Sequence, residues 1–281
     1  MNKEQKEEQK MYLDLIAEEC AIDVTNTIEY PPVAISIGET TIQTKNGPKT
    51  FPLPIGTFGN FSFVQAPPKT KKTFFISLLA SVFLSGTNKF GGNLRGHRGD
   101  KCLLHIDTEQ GHFHAQQVFR RVFDMHGGDD VGCYQTYALR TVGYKTRIEF
   151  IEHMLEKIEN VGLMVIDGIA DLCSDVNNLE ESNRVVQKVM EWSAKFNCHI
   201  ITVIHSNYGS DKPSGHLGSF LEKKAETQIA LESNTVNKDW ITVKCKRSRG
   251  YPFENFSFKV NQYGLPEIVG DLYDPLKTYP I

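Results

Sequence analysis

The sequence predicts an α/β fold in which a mostly parallel sheet is covered by helices on both faces. Two observations carry this prediction: continuous apolar segments that have the character of buried strands, and segments of helical character that separate them. Strands of a parallel sheet that is buried on both faces are expected to be unbroken apolar runs. The apolar segments are 61–66, 102–107, 162–168 and 199–205, and the helical segments lie at about 74–85, 112–126, 146–160 and 180–197.

The two ends of the chain are predicted to add smaller elements to this core. Residues 3–20 are rich in Glu and Lys and predict an amphipathic helix, while 31–58 combine prolines, an Asn-Gly pair and short alternating segments typical of a β meander. We therefore expect an N-terminal elaboration over 1–55 and the core over 56–281. Alternating segments near the C-terminus predict antiparallel strands that extend one edge of the sheet: 227–233, 239–246 and 253–260.

The composition is that of a globular protein with no membrane segment. Of the 281 residues, 40% are hydrophobic and 23% are charged, and no apolar run reaches the about 18 residues that span a membrane. The charged N-terminus does not resemble a secretion signal, and the six scattered cysteines form no CxxC pair, so we expect reduced thiols, a cytoplasmic location and no membrane partner. The net charge of -3 leaves any nucleic-acid contact to local basic clusters.

A short basic loop after the first apolar strand has the outline of a phosphate-binding loop. Residues 66–73 have the sequence APPKTKKT, in the place of the pattern G-x-x-x-x-G-K-[ST]. Lys72 can reach phosphate oxygens and Thr73 can ligate Mg²⁺, and the N-terminus of the following helix offers N–H groups to phosphate. Ala66 and Lys71 replace the two glycines, which removes the residues that permit a positive φ. A solvated basic loop that caps the helix is the alternative.

The residues predicted to bind nucleotide are those of this loop and the start of its helix: Ala66, Pro67, Pro68, Lys69, Thr70, Lys71, Lys72, Thr73 and Phe74.

Acidic residues follow the second and third apolar strands. The second apolar strand is expected to neighbour the phosphate loop. In 105–112, HIDTEQGH, Glu109 can orient and deprotonate a water that attacks a γ-phosphate, and Asp107 is a weaker candidate. Capping of the next helix by Asp107 or Thr108 is the structural alternative. In 163–172, LMVIDGIADL, four apolar residues precede Asp167, which is the pattern of a strand whose carboxylate holds Mg²⁺.

The fourth apolar strand also ends in polar residues. The segment 199–207, HIITVIHSN, places His205 and Asn207 at the carboxyl edge of the predicted sheet, where ligands of open α/β sheets bind. Either residue could sense the γ-phosphate and pass its state to 208–220, a segment predicted to be a mobile loop. The alternative for His205 is a structural histidine.

Taken in this order, the four stretches resemble the RecA-like P-loop ATPase core. More narrowly, they are similar to the hexameric-helicase, RepA/DnaB-like branch of AAA-type ATPases found on plasmids, phages and mobile elements, and the similarity covers roughly 55–260. The resemblance implies that Glu109 is the catalytic base and that Asp167 holds Mg²⁺ together with Thr73. It also implies an arginine that enters the neighbouring subunit's site, and 244–250, KCKRSRG, lies in the corresponding place. The residues expected to supply it are Arg249 first, with Arg247 and Lys246 assisting.

The resemblance implies a protein that binds ATP and Mg²⁺, assembles as a ring or filament, and works on DNA in helicase-like replication or mobilisation. Possible DNA contacts lie in the glycine-rich stretch 86–101, which is predicted to be an exposed loop, at Lys89, Arg95 and Arg98. Two rival functions remain open. One is a nucleotide-binding scaffold that does not hydrolyse ATP, and the other is a P-loop kinase of small molecules.

Overall fold

The computed structural model describes residues 2–86, 93–128, 132–207, 210 and 212–269. The chain divides into two compact units, Met1–Pro31 and Pro32–Ile281. The first unit contains helix α1 (Lys3–Cys20), which confirms the predicted helix; a capping box between Asn2 and Gln5 starts it, and none of its residues is buried. Within the described ranges, no helix is long and apolar enough to cross a membrane. The division at 55/56 stays a prediction.

The second unit alternates strands and helices along the chain. Its strands are β1 (Val33–Thr44), β2 (Gly47–Thr57), β3 (Phe61–Ala66), β4 (Leu94–Gly96), β5 (Cys102–Asp107), β6 (Tyr134–Ala138), β7 (Val161–Asp167), β8 (His199–His205), β9 (Thr227–Ser233), β10 (Ile241–Ser248), β11 (Phe256–Val260) and β12 (Pro266–Val269). Its helices are α2 (Lys72–Ser85), α3 (His112–His126), α4 (Tyr144–Lys157), α5 (Leu179–Lys195) and α6 (Gly215–Lys224), with a short 3₁₀ turn at Ile169–Leu172.

Within the described residues, the strands of the main sheet lie in the order β12-β11-β10-β9-β3-β8-β7-β5-β6. The strands from β9 to β6 pair in parallel, and β10, β11 and β12 are antiparallel additions at one side. The predicted fold class, a mostly parallel sheet with antiparallel edge strands, is therefore confirmed. The prediction was wrong for 227–233, because β9 pairs in parallel with β3 and lies inside the sheet, where its first five residues are buried.

A smaller sheet of β2, β1 and β4 lies next to α2. The hairpin β1–β2 confirms the predicted β elements of 31–58. The prediction of an exposed loop for 86–101 was wrong in part, because Leu94–Gly96 forms a strand that pairs with β1. This strand passes so close to α2 that a Cβ on Gly96 would lie 2.2 Å from the carbonyl oxygen of Val82. Only glycine fits that approach, and the many glycines of 86–101 indicated a loop and not a strand.

Apolar clusters cover both faces of the main sheet. One cluster contains α2 and the inner residues of β1 and β2, and the other contains the buried faces of α4, α5 and α6. Every residue of α2 from Phe75 to Leu84 is buried, as expected of a helix in the core, and only serines interrupt its apolar surface. The serines Ser77 and Ser81 satisfy their hydroxyls by donating to the carbonyls of Thr73 and Ser77 one turn earlier. The helix that follows the basic loop is therefore firmly anchored.

Besides β4, the sequence analysis did not predict β6, β12, the 3₁₀ turn or α6. The edge strand β6 has the sequence YQTYA, in which two polar residues lie between two tyrosines and no apolar run is present. Helix α6 begins at Gly215, inside the 208–220 segment predicted as a mobile loop, and that prediction was wrong for 215–220. Gly215 and Gly218 disfavour a helix by intrinsic propensity, and tertiary packing overrides this preference because Leu217 and Leu221 are fully buried.

Candidate nucleotide site

Two residues of the basic loop between β3 and α2 have a backbone conformation that glycine favours, and one of them, Lys71, stands in the place of a glycine of the pattern. Lys69 has a φ of 66° and Lys71 a φ of 57°, both in the left-handed region. A residue with a side chain pays roughly 1–2 kcal/mol for this conformation. The Thr70 hydroxyl donates to the carbonyl of Pro67 over 2.6 Å and closes the loop. The loop therefore contains two left-handed residues that are not glycine, and its backbone is strained.

The two adjacent lysines of the loop point to different places. Lys72 Nζ lies 3.0 Å from Nδ1 of His205 and donates to the carbonyl of Pro67 over 3.4 Å. Lys71 Nζ donates instead to the carbonyl of Asp239, 2.9 Å away, in the turn before β10. Lys72 is therefore directed towards the carboxyl edge of the sheet, while Lys71 attaches the loop to the antiparallel strands.

The carboxyl ends of four parallel strands bring the predicted residues together. Ala66 at the end of β3 pairs with His205 at the end of β8, and Asp107 of β5 pairs with Asp167 of β7. Strands β8 and β7 separate β5 from β3, so the expectation that the second apolar strand neighbours the loop was wrong. Glu109 nevertheless reaches the site, because its Oε1 lies 3.6 Å from Nε2 of His205.

A tight turn after β5 carries Glu109 into the site. Asp107 Oδ1 accepts hydrogen bonds from the backbone N–H groups of Glu109 (3.0 Å) and Gln110 (2.8 Å), and its Oδ2 accepts one from the Gln110 side chain. The Thr108 hydroxyl donates to the carbonyls of Asp167 and Gly168. Capping of α3 by Asp107 or Thr108 is not found, since the N-cap is Gly111. Both side chains instead fix the turn that positions Glu109.

Two further residues that the sequence analysis missed hold this turn. Gly168 has a φ of 103°, and a Cβ there would lie 2.3 Å from Thr108 Oγ1 and 2.8 Å from Glu109 Cγ. The buried guanidinium of Arg147 donates to the carbonyls of Asp171 (2.7 Å) and Thr108 (3.5 Å). Nothing in the local sequence signals either contact, because the partners are distant along the chain.

The carboxylates of the site share a cationic partner and a buried environment. Burial raises the pKa of Asp167 to about 7, and the nearby Asp107 and Glu109 carboxylates contribute to that increase. Burial lowers the pKa of the Lys72 ammonium. The His205 imidazole beside Glu109 holds the pKa of that carboxyl below its usual value. Asp167 accepts a hydrogen bond from Thr73, while its buried Oδ2 has no protein partner within the described residues.

A family model described as the AAA domain matches residues 56–211, more than half of the chain. The chain belongs to the AAA-domain family. The matched segment of this family begins just before β3 and ends just after β8, so it includes the basic loop and all four strand ends described above.

This AAA-domain chain is similar in sequence to one recombination protein and in structure to a recombinase. It is 28% identical over 195 residues to the DNA repair and recombination protein RadB of Methanococcus maripaludis, covering 64% of this chain and 84% of that protein. It is also similar to the crystal structure of the RadB recombinase, with a TM-score of 0.53, 17% sequence identity, and coverage of 76% of this chain and 94% of that chain. The fold is therefore that of RecA-like P-loop ATPases.

The end of the basic segment 244–250 lies far from the site of its own chain. Ser248 pairs with Thr227, and Thr227 pairs in turn with Ser62 near the start of β3. Ser62 lies roughly 13 Å along β3 from Ala66, where the phosphate loop begins. Arg249 donates through Nη2 to the carbonyl of Lys224 over 2.7 Å, at the end of α6. Arg247 is on the same strand, and Lys246 Nζ lies 3.6 Å from Oε1 of Glu232.

The remaining predicted residues lie around the periphery. Asn207 lies two residues after the end of β8, and its side chain donates to the carbonyl of Pro213 over 3.4 Å. The ring of Phe74 is covered by the Arg121 guanidinium, whose carbon lies 3.9 Å from the ring centroid. Of the possible DNA contacts, Arg95 lies 3.6 Å from the Glu39 carboxylate and Arg98 follows β4, while Lys89 lies outside the described residues.

Proposed function

We propose that this AAA-domain protein is a RecA-like ATPase that binds ATP with Mg²⁺, hydrolyses it, and uses the reaction to act on DNA. One observation carries the proposal: Lys72, His205 and Glu109 form a contiguous chain of contacts at the sheet edge where Asp167 also lies. Four separate segments of the sequence converge there, which a solvated basic loop would not require.

The protein's own side chains supply the binding of phosphate and the removal of a proton. Lys72 and the N-terminus of α2 would hold the phosphates, and phosphate oxygens would take the place of His205 as the partner of Lys72 Nζ. His205 would then respond directly to the presence of a γ-phosphate. Glu109, whose pKa is held low, is ionised at neutral pH and can accept a proton from water, as a general base must.

The residues at the end of β7 and the start of α2 fit a divalent cation. The buried Oδ2 of Asp167 has no protein partner within the described residues, and Thr73 already contacts this carboxylate. Carboxylate and hydroxyl oxygens are the ligands that Mg²⁺ uses beside phosphates. When bound, Mg²⁺ would supply charge neutralisation on the phosphate oxygens. Asp167 and Thr73 are therefore the proposed metal ligands.

The proposals for DNA and for assembly rest on the relatives and on the position of Arg249. The relative from Methanococcus maripaludis is described as a DNA repair and recombination protein, which supports DNA as the partner here. Arg249 lies at the opposite edge of the sheet from its own Lys72, so the proposed role for it is in the site of a neighbouring subunit of a ring or filament. The order of the motifs supports a narrower alternative. In it, this cytoplasmic ATPase acts in helicase-like replication or mobilisation of a plasmid, phage or mobile element.

The direct test is steady-state ATP hydrolysis with Mg²⁺, in the presence and absence of single-stranded DNA. The intact protein should turn over ATP, faster with DNA, and Lys72→Ala should abolish turnover. Lys71→Ala is the matched control in the same loop, because its ammonium contacts Asp239 and not the strand ends; it should retain turnover. Loss of activity in both variants alike would show that the loop needs its charge or its shape in general, and would count against the assigned role of Lys72.

The rival functions give different results in the same assay. A nucleotide-binding scaffold would bind ATP without turning it over, whereas a small-molecule kinase would show neither DNA stimulation nor nucleotide-driven assembly in sedimentation. Strand displacement by the protein would favour the helicase-like alternative over recombination.

A further inference from the structure

Two cysteines lie side by side at the amino edge of the main sheet. Cys102 opens β5, and Cys133 immediately precedes the neighbouring strand β6. Their sulfur atoms are 3.7 Å apart, and both side chains are half-buried. The two residues are separated by 31 positions along the chain, so the contact is created by the fold and not by local sequence.

The backbone around the pair fixes this approach. The N–H of Leu103 donates to the carbonyl of Cys133 over 2.7 Å, and Leu103 pairs with Tyr134. Cys102 and Cys133 are therefore adjacent across two parallel strands. The Cys133 thiol is within 3.6 Å of the carbonyl of Lys101.

The other cysteines are less suited to thiol–disulfide chemistry, with one exception. Burial raises the pKa of Cys173 to about 11, that of Cys198 to about 12, and also that of Cys245, so these thiols form little thiolate near neutral pH. Cys20 is exposed on α1 and is the natural competitor for an oxidant.

We propose that Cys102 and Cys133 are an oxidation site that small-molecule disulfides convert into an intramolecular disulfide. One thiolate of the pair attacks a sulfur of the small disulfide, which breaks that S–S bond and releases one small thiol. The second thiolate then attacks the mixed disulfide, forms the Cys102–Cys133 bond and releases the other small thiol. The two protein thiols are oxidised, the oxidant is reduced to two thiols, and the protons of the protein thiols go to the released thiolates or to solvent.

The bond would close the β5–α3–β6 crossover into a covalent loop. This loop contains the turn that carries Glu109, and it would fix β6, which pairs with β5 and with no other described strand. Closing a loop of this length restricts the unfolded chain, so the oxidised protein should resist unfolding better than the reduced protein. The site at the carboxyl edge would keep its geometry, because the cysteines lie at the opposite ends of the strands.

The test treats the full chain with oxidised glutathione, stops the exchange with acid, alkylates in denaturant, and maps non-reduced peptides by mass spectrometry. We expect a linked peptide pair containing Cys102 and Cys133, a mass lower by two hydrogen atoms at those peptides, and a higher urea midpoint of unfolding. Cys20→Ser, the matched control, should keep the link. Cys102→Ser and Cys133→Ser should each lose it and leave the remaining thiol as a glutathione adduct.

Three results would overturn the proposal: alkylation of both thiols after oxidation, separate glutathione adducts on Cys102 and Cys133, or a link from either residue to a different cysteine. Circular dichroism of the reduced serine variants shows whether each variant is folded. A folded variant whose remaining cysteine forms a disulfide with a different cysteine would equally contradict the assignment.

Discussion

Replacement of Gly168 by alanine should disable catalysis more than it disturbs binding of nucleotide. Gly168 has a φ of 103°, and its backbone lies against the turn that carries Glu109. A Cβ at this position would meet Thr108 Oγ1 at 2.3 Å and Glu109 Cγ at 2.8 Å, so both side chains must move. Lys72 and the phosphate loop are on other segments and are not crowded by the new methyl group.

The magnitude follows from the backbone strain and the hydrogen bonds at stake. A positive φ costs a residue with a side chain roughly 1–2 kcal/mol. The Thr108 hydroxyl would lose its bonds to the carbonyls of Asp167 and Gly168, which are about 1 kcal/mol each. We expect the free energy of unfolding to fall by about 3–4 kcal/mol in total. A shift of Glu109 by somewhat under 1 Å should lower kcat by about 10²-fold or slightly less.

The assay compares Gly168→Ala with Gly264→Ala in urea denaturation, ATP binding and ATP turnover. Gly264 has a φ of 74°, but a Cβ there meets nothing within 4 Å, so this control carries the strain without the crowding. Gly168→Ala should lose more stability than the control and should retain ATP binding with a much lower kcat. Equal losses of stability in the two variants, together with unchanged turnover, would refute the argument that this glycine positions Glu109.

Three further predictions address the loop, the core and the assembly. Lys71→Gly should be about 1 kcal/mol more stable than Lys71→Ala in urea denaturation, since both lose the contact with Asp239 and only glycine relieves the left-handed φ; equal stabilities would show that the loop is not strained. Burial lowers the pKa of His105 to about 3, so between about pH 6.5 and 3 the unfolded chain binds a proton that the folded protein does not, and stability is lost as the pH falls. From pH 7 to pH 5 this histidine should contribute about 2 kcal/mol of that loss, and His105→Asn should show a correspondingly smaller pH dependence; an unchanged dependence would contradict the assignment. Arg249→Ala and Lys72→Ala should each be inactive alone and regain turnover when mixed, because an intact Lys72 site can then meet an intact arginine of a neighbour; no recovery on mixing would argue against a role in trans.

The sequence allowed the core of this fold to be predicted because its signals are local. Segments 61–66, 102–107 and 199–205 are predominantly apolar, and the structure confirms each as a strand with the same bounds. The polar residues that follow these runs converge because parallel strands end at one edge of the sheet. Their order along the chain was therefore enough to predict that Lys72 and Glu109 would come together.

The rest depended on contacts that no local pattern encodes. The alternating sequence of β9 suggested an edge strand. In the structure β9 lies between β3 and β10 and pairs in parallel with β3, an arrangement that depends on contacts distant in sequence. The left-handed lysines of the loop could not be foreseen, because lysine has no preference for positive φ. Arg147 and Gly168 act on Glu109 from segments far along the chain, so only the assembled structure shows their roles.

The measurement that tests the central claim most directly is ATP turnover by Glu109→Gln, made beside ATP binding by the same variant. Glu149→Gln, an exposed carboxylate on α4, is the control for the change of charge. The account predicts that Glu109→Gln binds ATP with Mg²⁺ as the intact protein does and loses turnover by about 10²-fold or more, while Glu149→Gln is unaffected. Unchanged turnover in Glu109→Gln would contradict the account, because the base would then lie elsewhere and the convergence at the sheet edge would not be the catalytic site.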